Sequence, residues 1–171
     1  INIMQVSELN LNQLKKICIF LRNKNIRALY FADSLGALES KKFKKIIKLL
    51  KKVWNKELGL HAHDNLKLAL KNSEFAIKNN FQWIDSTIMG MGRGPGNLKT
   101  EEIIKKIEKK QVYLINLLKK KYFQKLMKKY KWGTNRYYKE AAVKKRQPTD
   151  RQQRLADEKK KEREYKNILK S

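Results

Sequence analysis

Cysteine and long apolar runs are scarce in this 171-residue chain. The single cysteine, Cys18, excludes a disulfide within the chain and is typical of a reducing compartment, so we expect a cytoplasmic location. Its position on the apolar face of a predicted helix indicates a thiol buried in the core. No apolar run approaches the roughly 20 residues of a membrane span, and we therefore expect no membrane partner.

Acidic residues and arginine are scarce as well. The chain has 42 basic residues against 16 acidic ones, a formal net charge of +26, but only eight of the basic residues are arginine. Base and phosphate recognition favours the planar guanidinium group, whereas these lysines are spread over the outer faces of nearly every predicted helix. The composition predicts weak, salt-sensitive binding to polyanions and no specific nucleic-acid partner.

Only two histidines are present, and both lie in the stretch LGLHAHDN at residues 58–65. Side chains alternate along a strand, so His61 and His63 point to one face together with Gly59, while the apolar residues between them point to the other. Neutral imidazole is a good ligand for a divalent metal. A metal needs three or more ligands, however, and two polar residues at a strand end are the alternative interpretation.

Strand-like and helical patterns alternate four times before residue 119. We predict strands at residues 1–6, 26–32, 58–63 and 81–87, and helices capped by Ser7, beginning near 43, beginning at Asp64 or Asn65, and capped by Thr100. The inner face of the last helix is predicted to comprise Ile103, Ile104, Ile107, Leu114, Ile115 and Leu118. This alternation implies an α/β fold of four βα units with parallel strands, about half of a TIM (β/α)8 barrel.

Polar residues recur at the carboxyl ends of the predicted strands, where a barrel enzyme collects its active site. Asp33 with Ser34 either caps the following helix or contacts substrate. Asp85 either orients a neighbouring group or is structural, and we favour the structural interpretation. The glycine loop, residues 89–97, is either a simple turn or a functional loop in which Arg93 meets an anion.

Three segments carry a family resemblance: YFADSLGAL, GLHAHDN, and WIDSTIMGMGRGPGN followed by TEE. Over residues 1–105 they resemble the second half of the superfamily of metal-dependent pyruvate aldolases, acyl-CoA lyases and isopropylmalate synthases, and within it the 4-hydroxy-2-oxovalerate aldolases most. The resemblance implies that His61 and His63 bind Mn²⁺ or Mg²⁺ with Asn97 near or on the metal. It further implies substrate contacts from Asp33, Ser34, Arg93 and Gly94.

One part of the family pattern is missing. The family's remaining ligand is an aspartate beside an arginine at the end of the first strand, and this chain contains no Arg-Asp pair. The chain also begins at Ile1 in a strand-like pattern, so we expect an incomplete catalytic domain whose catalytic residues lie elsewhere. The resemblance implies a metal-dependent carbon–carbon lyase acting on a 2-oxo acid. The alternatives are an acyl-CoA lyase or acyltransferase of the same superfamily and a non-catalytic basic binding module.

The character of the chain changes after residue 118. We divide it into a partial barrel domain at residues 1–118 and a basic, helical and partly flexible extension at residues 119–171. The aromatic stretch at residues 132–138 resembles a segment that follows the barrel in some aldolase-domain proteins, in which a histidine replaces Gln147 before Pro148 and Thr149. By analogy with distant relatives, we expect the extension to form a homo-oligomer or to dock on a partner subunit.

Overall fold

The computed structural model describes residues 1–92, 94–107, 113, 115, 116 and 119–146. Arg93, Leu114, Leu118 and the predicted tail from Gln147 onward lie outside this part. The strands, all in one parallel sheet in the order β1-β2-β3-β4, are β1 (Asn2–Ile3), β2 (Ala28–Asp33), β3 (Glu57–Ala62) and β4 (Trp83–Asp85). The helices between and after them are α1 (Leu11–Arg22), α2 (Ser40–Val53), α3 (Ala69–Ile77) and α4 (Thr100–Ile107). The predicted α/β architecture, part of a TIM barrel, is confirmed.

The core lies between the sheet and these helices. Phe43 of α2 contacts Phe75 and Phe81 edge-on, with ring centroids 5.9 and 6.0 Å apart. Cys18 is fully buried, as predicted, and burial raises the pKa of its thiol to about 11. At neutral pH this thiol is therefore protonated and acts as a small apolar core residue.

Three local predictions are wrong. Asn10, not Ser7, caps α1: its Oδ1 accepts from the Gln13 amide at 2.8 Å while the Gln13 side chain accepts from the Asn10 amide, a complete capping box. Helix α3 begins at Ala69 because Asp64 accepts from the Ala69 amide across a preceding turn. Ile107 does not belong to the inner face of α4, since 57% of its surface is exposed near the end of that helix.

The chain continues beyond α4 with a π-helical turn (Lys119–Phe123), α5 (Gln124–Tyr130) and α6 (Arg136–Val143). Ala142 of α6 is buried against Leu35 and Ala37, which belong to the loop after β2. The end of the described chain therefore packs on the loops at the carboxyl edge of the sheet. None of the helices in the described ranges is long and apolar enough to cross a membrane.

Candidate metal centre

The two histidines lie at the carboxyl end of β3. Their ring centroids are 5.1 Å apart and the rings meet edge to face at 78°. Leu60 and Ala62, the residues that alternate with them, are buried in the core below the sheet. The predicted division of β3 into an apolar face and an imidazole face is what the structure shows.

Hydrogen bonds orient both rings. His63 Nδ1 lies 3.2 Å from the carbonyl oxygen of Gly96, which can only accept, so Nδ1 carries the proton and the lone pair of the neutral ring lies on Nε2. His61 Nδ1 lies 3.0 Å from Oδ2 of Asp85, its register partner on β4. A histidine that donates one ring nitrogen to a carbonyl or carboxylate is the usual arrangement of a metal ligand.

Asn97, at the far end of the glycine loop, lies beside His63 at the carboxyl end of β3. Its backbone forms an isolated antiparallel bridge with His63, and its Nδ2 donates to the Met91 carbonyl at 3.1 Å. Its Oδ1 is buried and accepts no hydrogen bond from the residues that the structure describes. A buried oxygen without a donor is costly, and a bound cation is one physical explanation for it.

Gly92 makes room for the Asn97 amide. A Cβ atom at position 92 would lie 2.9 Å from Cγ of Asn97, closer than real Cβ contacts. Any larger residue would displace the amide from the site. This close approach favours the functional interpretation of the glycine loop.

An open cavity of about 410 Å³ adjoins these groups. It is lined by His61, Ile84, Asp85, Ser86, Thr87 and Asn97. The side chain of Asp85 is 46% exposed and that of His61 28%, so both are accessible to a small molecule. One imidazole, one carboxylate and the Asn97 residue thus line a space of the size of a small-ligand pocket.

The predicted substrate residues are placed differently. Asp33 is only 2% exposed, and its two carboxylate oxygens accept from the amides of Ala37 and Leu38 at 3.1 and 2.8 Å. Burial raises the pKa of this carboxyl, while the amide bonds act in the opposite direction. Ser34 accepts from the Gln5 amide at 3.2 Å. These contacts hold the loop after β2, and neither residue lines the cavity.

Gly94 has a left-handed backbone with a φ of 68°, which favours glycine. A Cβ atom there would meet the ring of Tyr138 at 3.8 Å. Gly94 therefore lies against Tyr138 of α6 and is not among the residues that line the cavity.

Sequence reasoning gave the orienting role of Asp85 too little weight and did not name Tyr30. Of the two interpretations of Asp85, orienting a neighbouring group or being structural, the sequence favours the second, whereas the structure pairs Asp85 with His61 across β3 and β4. The Tyr30 ring packs on Gly59, its register partner on β3, which lies two residues before His61. A Cβ atom added at Gly59 would lie 2.6 Å from the Tyr30 ring. Burial, with Asp85 and Glu57 nearby, raises the pKa of its phenol.

A complete metal site is not formed by the described residues alone. Nowhere in these ranges do three or more histidine, cysteine, aspartate or glutamate side chains converge on a point that could hold a metal ion. Two imidazoles and one amide oxygen do not complete a metal site, so at least one further ligand would have to come from outside the described residues.

The sequence matches the family model described as HMGL-like over residues 1–129. The chain belongs to this family. It is 37% identical over 75 residues to a 4-hydroxy-2-oxovalerate aldolase of Brevibacillus brevis, an alignment that covers 44% of this chain and 22% of the relative. The chain thus spans about a quarter of the curated relatives it matches.

Solved structures agree with this assignment. The N-terminal domain of a candidate aldolase from Bacteroides vulgatus is similar with a TM-score of 0.74 and 31% identity, covering 91% of this chain and 52% of that one. The carboxyl transferase domain of Rhizobium etli pyruvate carboxylase, solved with pyruvate and biocytin, has a TM-score of 0.63 at 13% identity and covers 80% of this chain and 26% of that one. The second likeness shows the shared fold alone.

Proposed function

We propose that this chain supplies the carboxyl-terminal part of the active site of a metal-dependent aldolase of the 4-hydroxy-2-oxovalerate type. The observation that carries the proposal is the grouping at the end of β3. The rings of His61 and His63 lie 5.1 Å apart on one face of the strand. Asn97 pairs with His63 through its backbone, lines the same cavity as His61, and has a buried Oδ1 without a donor among the described residues. The matched relatives bear the name of this activity. The cytoplasmic location belongs to the same proposal.

The donor set fits Mn²⁺ or Mg²⁺ bound with further oxygen ligands. These ions prefer oxygen, which Asn97 offers, so the two imidazoles would hold them firmly only when further oxygen ligands complete the site. Asp85 and Gly96 lie within hydrogen-bond distance of Nδ1 of the two rings, so Nε2 is the nitrogen through which each ring would bind the ion. The remaining carboxylate ligand, together with the arginine and the general base, is proposed to come from the part of the barrel that precedes this chain.

The reaction cleaves the bond between C3 and C4 of 4-hydroxy-2-oxovalerate. The C4 hydroxyl loses its proton, the C3–C4 electron pair passes to C3, and acetaldehyde leaves; protonation of C3 then yields pyruvate. When bound, the divalent ion would chelate the 2-oxo acid and stabilise the developing negative charge on its keto oxygen. The chain's own share is to hold the imidazole and amide ligands rigidly and to line the cavity in which the acid binds.

We propose that Asp33, Ser34, Arg93 and Gly94 contact substrate in the complete barrel. Of these, Asp33, Ser34 and Gly94 lie outside the cavity that the described residues line. Asp33 also holds the loop that carries Ser34. Residues 1–118 are assigned to the catalytic domain and residues 119–171 to the extension. The extension is proposed to contact a second subunit through α5 and the turn before it, whose exposed apolar side chains are Tyr122, Leu126, Met127 and Tyr130.

The proposal predicts metal binding and aldol cleavage by the intact protein. We expect one Mn²⁺ per barrel and release of pyruvate from 4-hydroxy-2-oxovalerate, measured by metal analysis and by coupling pyruvate to lactate dehydrogenase. Chelation should remove the activity and added Mn²⁺ should restore it. Protein that binds no divalent ion would refute the aldolase and favour a non-catalytic binding module.

Asn97→Ala should weaken Mn²⁺ binding and turnover roughly 10- to 100-fold, the range measured for groups that support a metal site. Asn97→Asp keeps an oxygen at this position and should lose less affinity. The matched control is Asn79→Ala, because Asn79 bonds Lys51 and the Phe75 carbonyl instead of the cavity groups. Equal metal affinity in Asn97→Ala and Asn79→Ala would remove Asn97 from the site.

A further inference from the structure

The glycine loop begins with a strained residue. Met89 has φ 54° and ψ 22°, a left-handed conformation that is unfavourable for a residue with a Cβ atom. Gly90, which follows it, is also left-handed with a φ of 65°. Glycine adopts this conformation without penalty, but Met89 persists in it only because its surroundings hold it.

Two side chains hold Met89, one at its backbone amide and one at its backbone carbonyl. Glu101, 4% exposed in the first turn of α4, accepts from the Met89 amide at 3.0 Å. Trp132, 43 residues further along the chain, donates its indole N–H to the Met89 carbonyl at 3.0 Å. The extension therefore contributes directly to the turn that opens the glycine loop.

This turn determines where Asn97 lies. The Gly90 carbonyl accepts from the Asn97 amide at 3.1 Å, and the Met91 carbonyl accepts from the Asn97 side chain at 3.1 Å. A rotation at Met89 would move both acceptors at once. The position of Oδ1 of Asn97 thus depends on the backbone that Trp132 and Glu101 fix.

The same segment also holds the loop that follows the histidines. Asn65, 2% exposed, donates from Nδ2 to the carbonyls of Leu35 and Tyr138 at 3.1 and 2.7 Å, and its Oδ1 accepts from the Thr134 hydroxyl. Gly133 fits against Gly96, where an added Cβ would lie 3.4 Å from the Gly133 Cα. Residues 132–138 therefore connect the loop after β3 with the loop after β4.

We infer that Trp132 and Thr134 are positioning residues of the metal site, acting through Met89 and Asn65 respectively. Neither residue lines the cavity, and each holds one of the two loops whose spacing sets the position of Asn97 relative to the histidines. The inference rests on the proposed function. It gives the extension a part in the site in addition to the subunit contact proposed for it.

The test is Trp132→Phe in the intact protein, which deletes the indole N–H and keeps an aromatic ring. Loss of one hydrogen bond of this kind predicts Mn²⁺ affinity roughly three- to tenfold lower. In the metal-free protein, amide hydrogen exchange in the peptide covering residues 89–98 should also become faster. Thr134→Val should lower Mn²⁺ affinity by a similar factor and should accelerate exchange around Asn65.

Trp54→Phe is the matched control, because Trp54 Nε1 also donates to a backbone carbonyl, that of Glu57, at 3.2 Å. It should leave Mn²⁺ affinity and exchange in the glycine loop unchanged. Since glycine adopts the left-handed conformation without the Cβ cost, Trp132→Phe should lower affinity less in a Met89→Gly background than in the wild type. A general loss of stability would not produce that difference.

The outcomes separate the two claims. Wild-type protein that binds no Mn²⁺ would overturn the proposed function and, with it, the positioning role. Wild-type protein that binds Mn²⁺ no more tightly than Trp132→Phe, or that shows the same loop exchange as this variant, would overturn the positioning role alone. The positioning role would be established if Trp132→Phe lowers Mn²⁺ affinity, accelerates amide exchange in the glycine loop, and has a smaller effect on affinity in the Met89→Gly background.

Discussion

Intact protein carrying His61→Ala or His63→Ala is expected to purify without Mn²⁺ and to lose aldol cleavage. Each substitution removes one of the two nitrogen ligands that β3 supplies, so the loss should exceed the roughly 100-fold upper range for supporting groups. The His61 side chain is 28% exposed and packs at the rim of the sheet, so its removal should spare the fold. Metal content, turnover and the thermal midpoint would be measured on the same preparations.

Asp85→Asn provides a graded comparison for this pair. The amide keeps a hydrogen-bonding group 3.0 Å from His61 Nδ1 but removes the carboxylate charge. We expect an intermediate loss of metal affinity, roughly 10- to 100-fold. Histidine variants that retained full metal content and full turnover would show that the chemistry lies elsewhere in the barrel.

The 171-residue chain expressed alone is expected to self-associate or aggregate, although the intact protein should be well behaved. In the part of the chain that the structure describes, β1 and β4 each have one hydrogen-bonded neighbour, so both edges of the sheet are open. Trp83 on the β4 edge is 40% exposed and Met4 after β1 is 55% exposed. Open edges beside exposed apolar side chains favour pairing with another chain. Analytical ultracentrifugation across a concentration series would measure the association.

Trp83→Lys should weaken that association roughly tenfold or more, because a charge on an edge strand opposes pairing and a buried tryptophan is often an energetic centre of an interface. Phe20→Lys is the matched control. Phe20 is 67% exposed, but it lies on α1 rather than at a sheet edge. A monomeric chain with a cooperative melt and dispersed amide signals would contradict the prediction.

Sequence alone was sufficient for the order of strands and helices and for the imidazole face of β3. These features follow from local periodicity: alternation places Leu60 in the core and His61 opposite it, and helical spacing buries Cys18 and Phe43. The limits of elements were less accurate, as with Asn10 in place of Ser7, because a cap depends on which nearby side chain reaches a free amide. The assignment of His61, His63 and Asn97 to a metal is still a prediction from the sequence resemblance, supported by the geometry.

Only the tertiary structure brought Asp85 to His61, Gly96 to His63 and Trp132 to Met89. These contacts join residues 24, 33 and 43 positions apart, and no periodic pattern records a pairing at such distances. Local chemistry determines which segments become strands or helices, because their hydrogen bonds and apolar faces repeat within a few residues. The spacing of loops at a site is determined by how the folded segments pack together. The loops beside the candidate metal centre therefore depend on residues 132–138, which sequence reasoning had assigned to a separate extension.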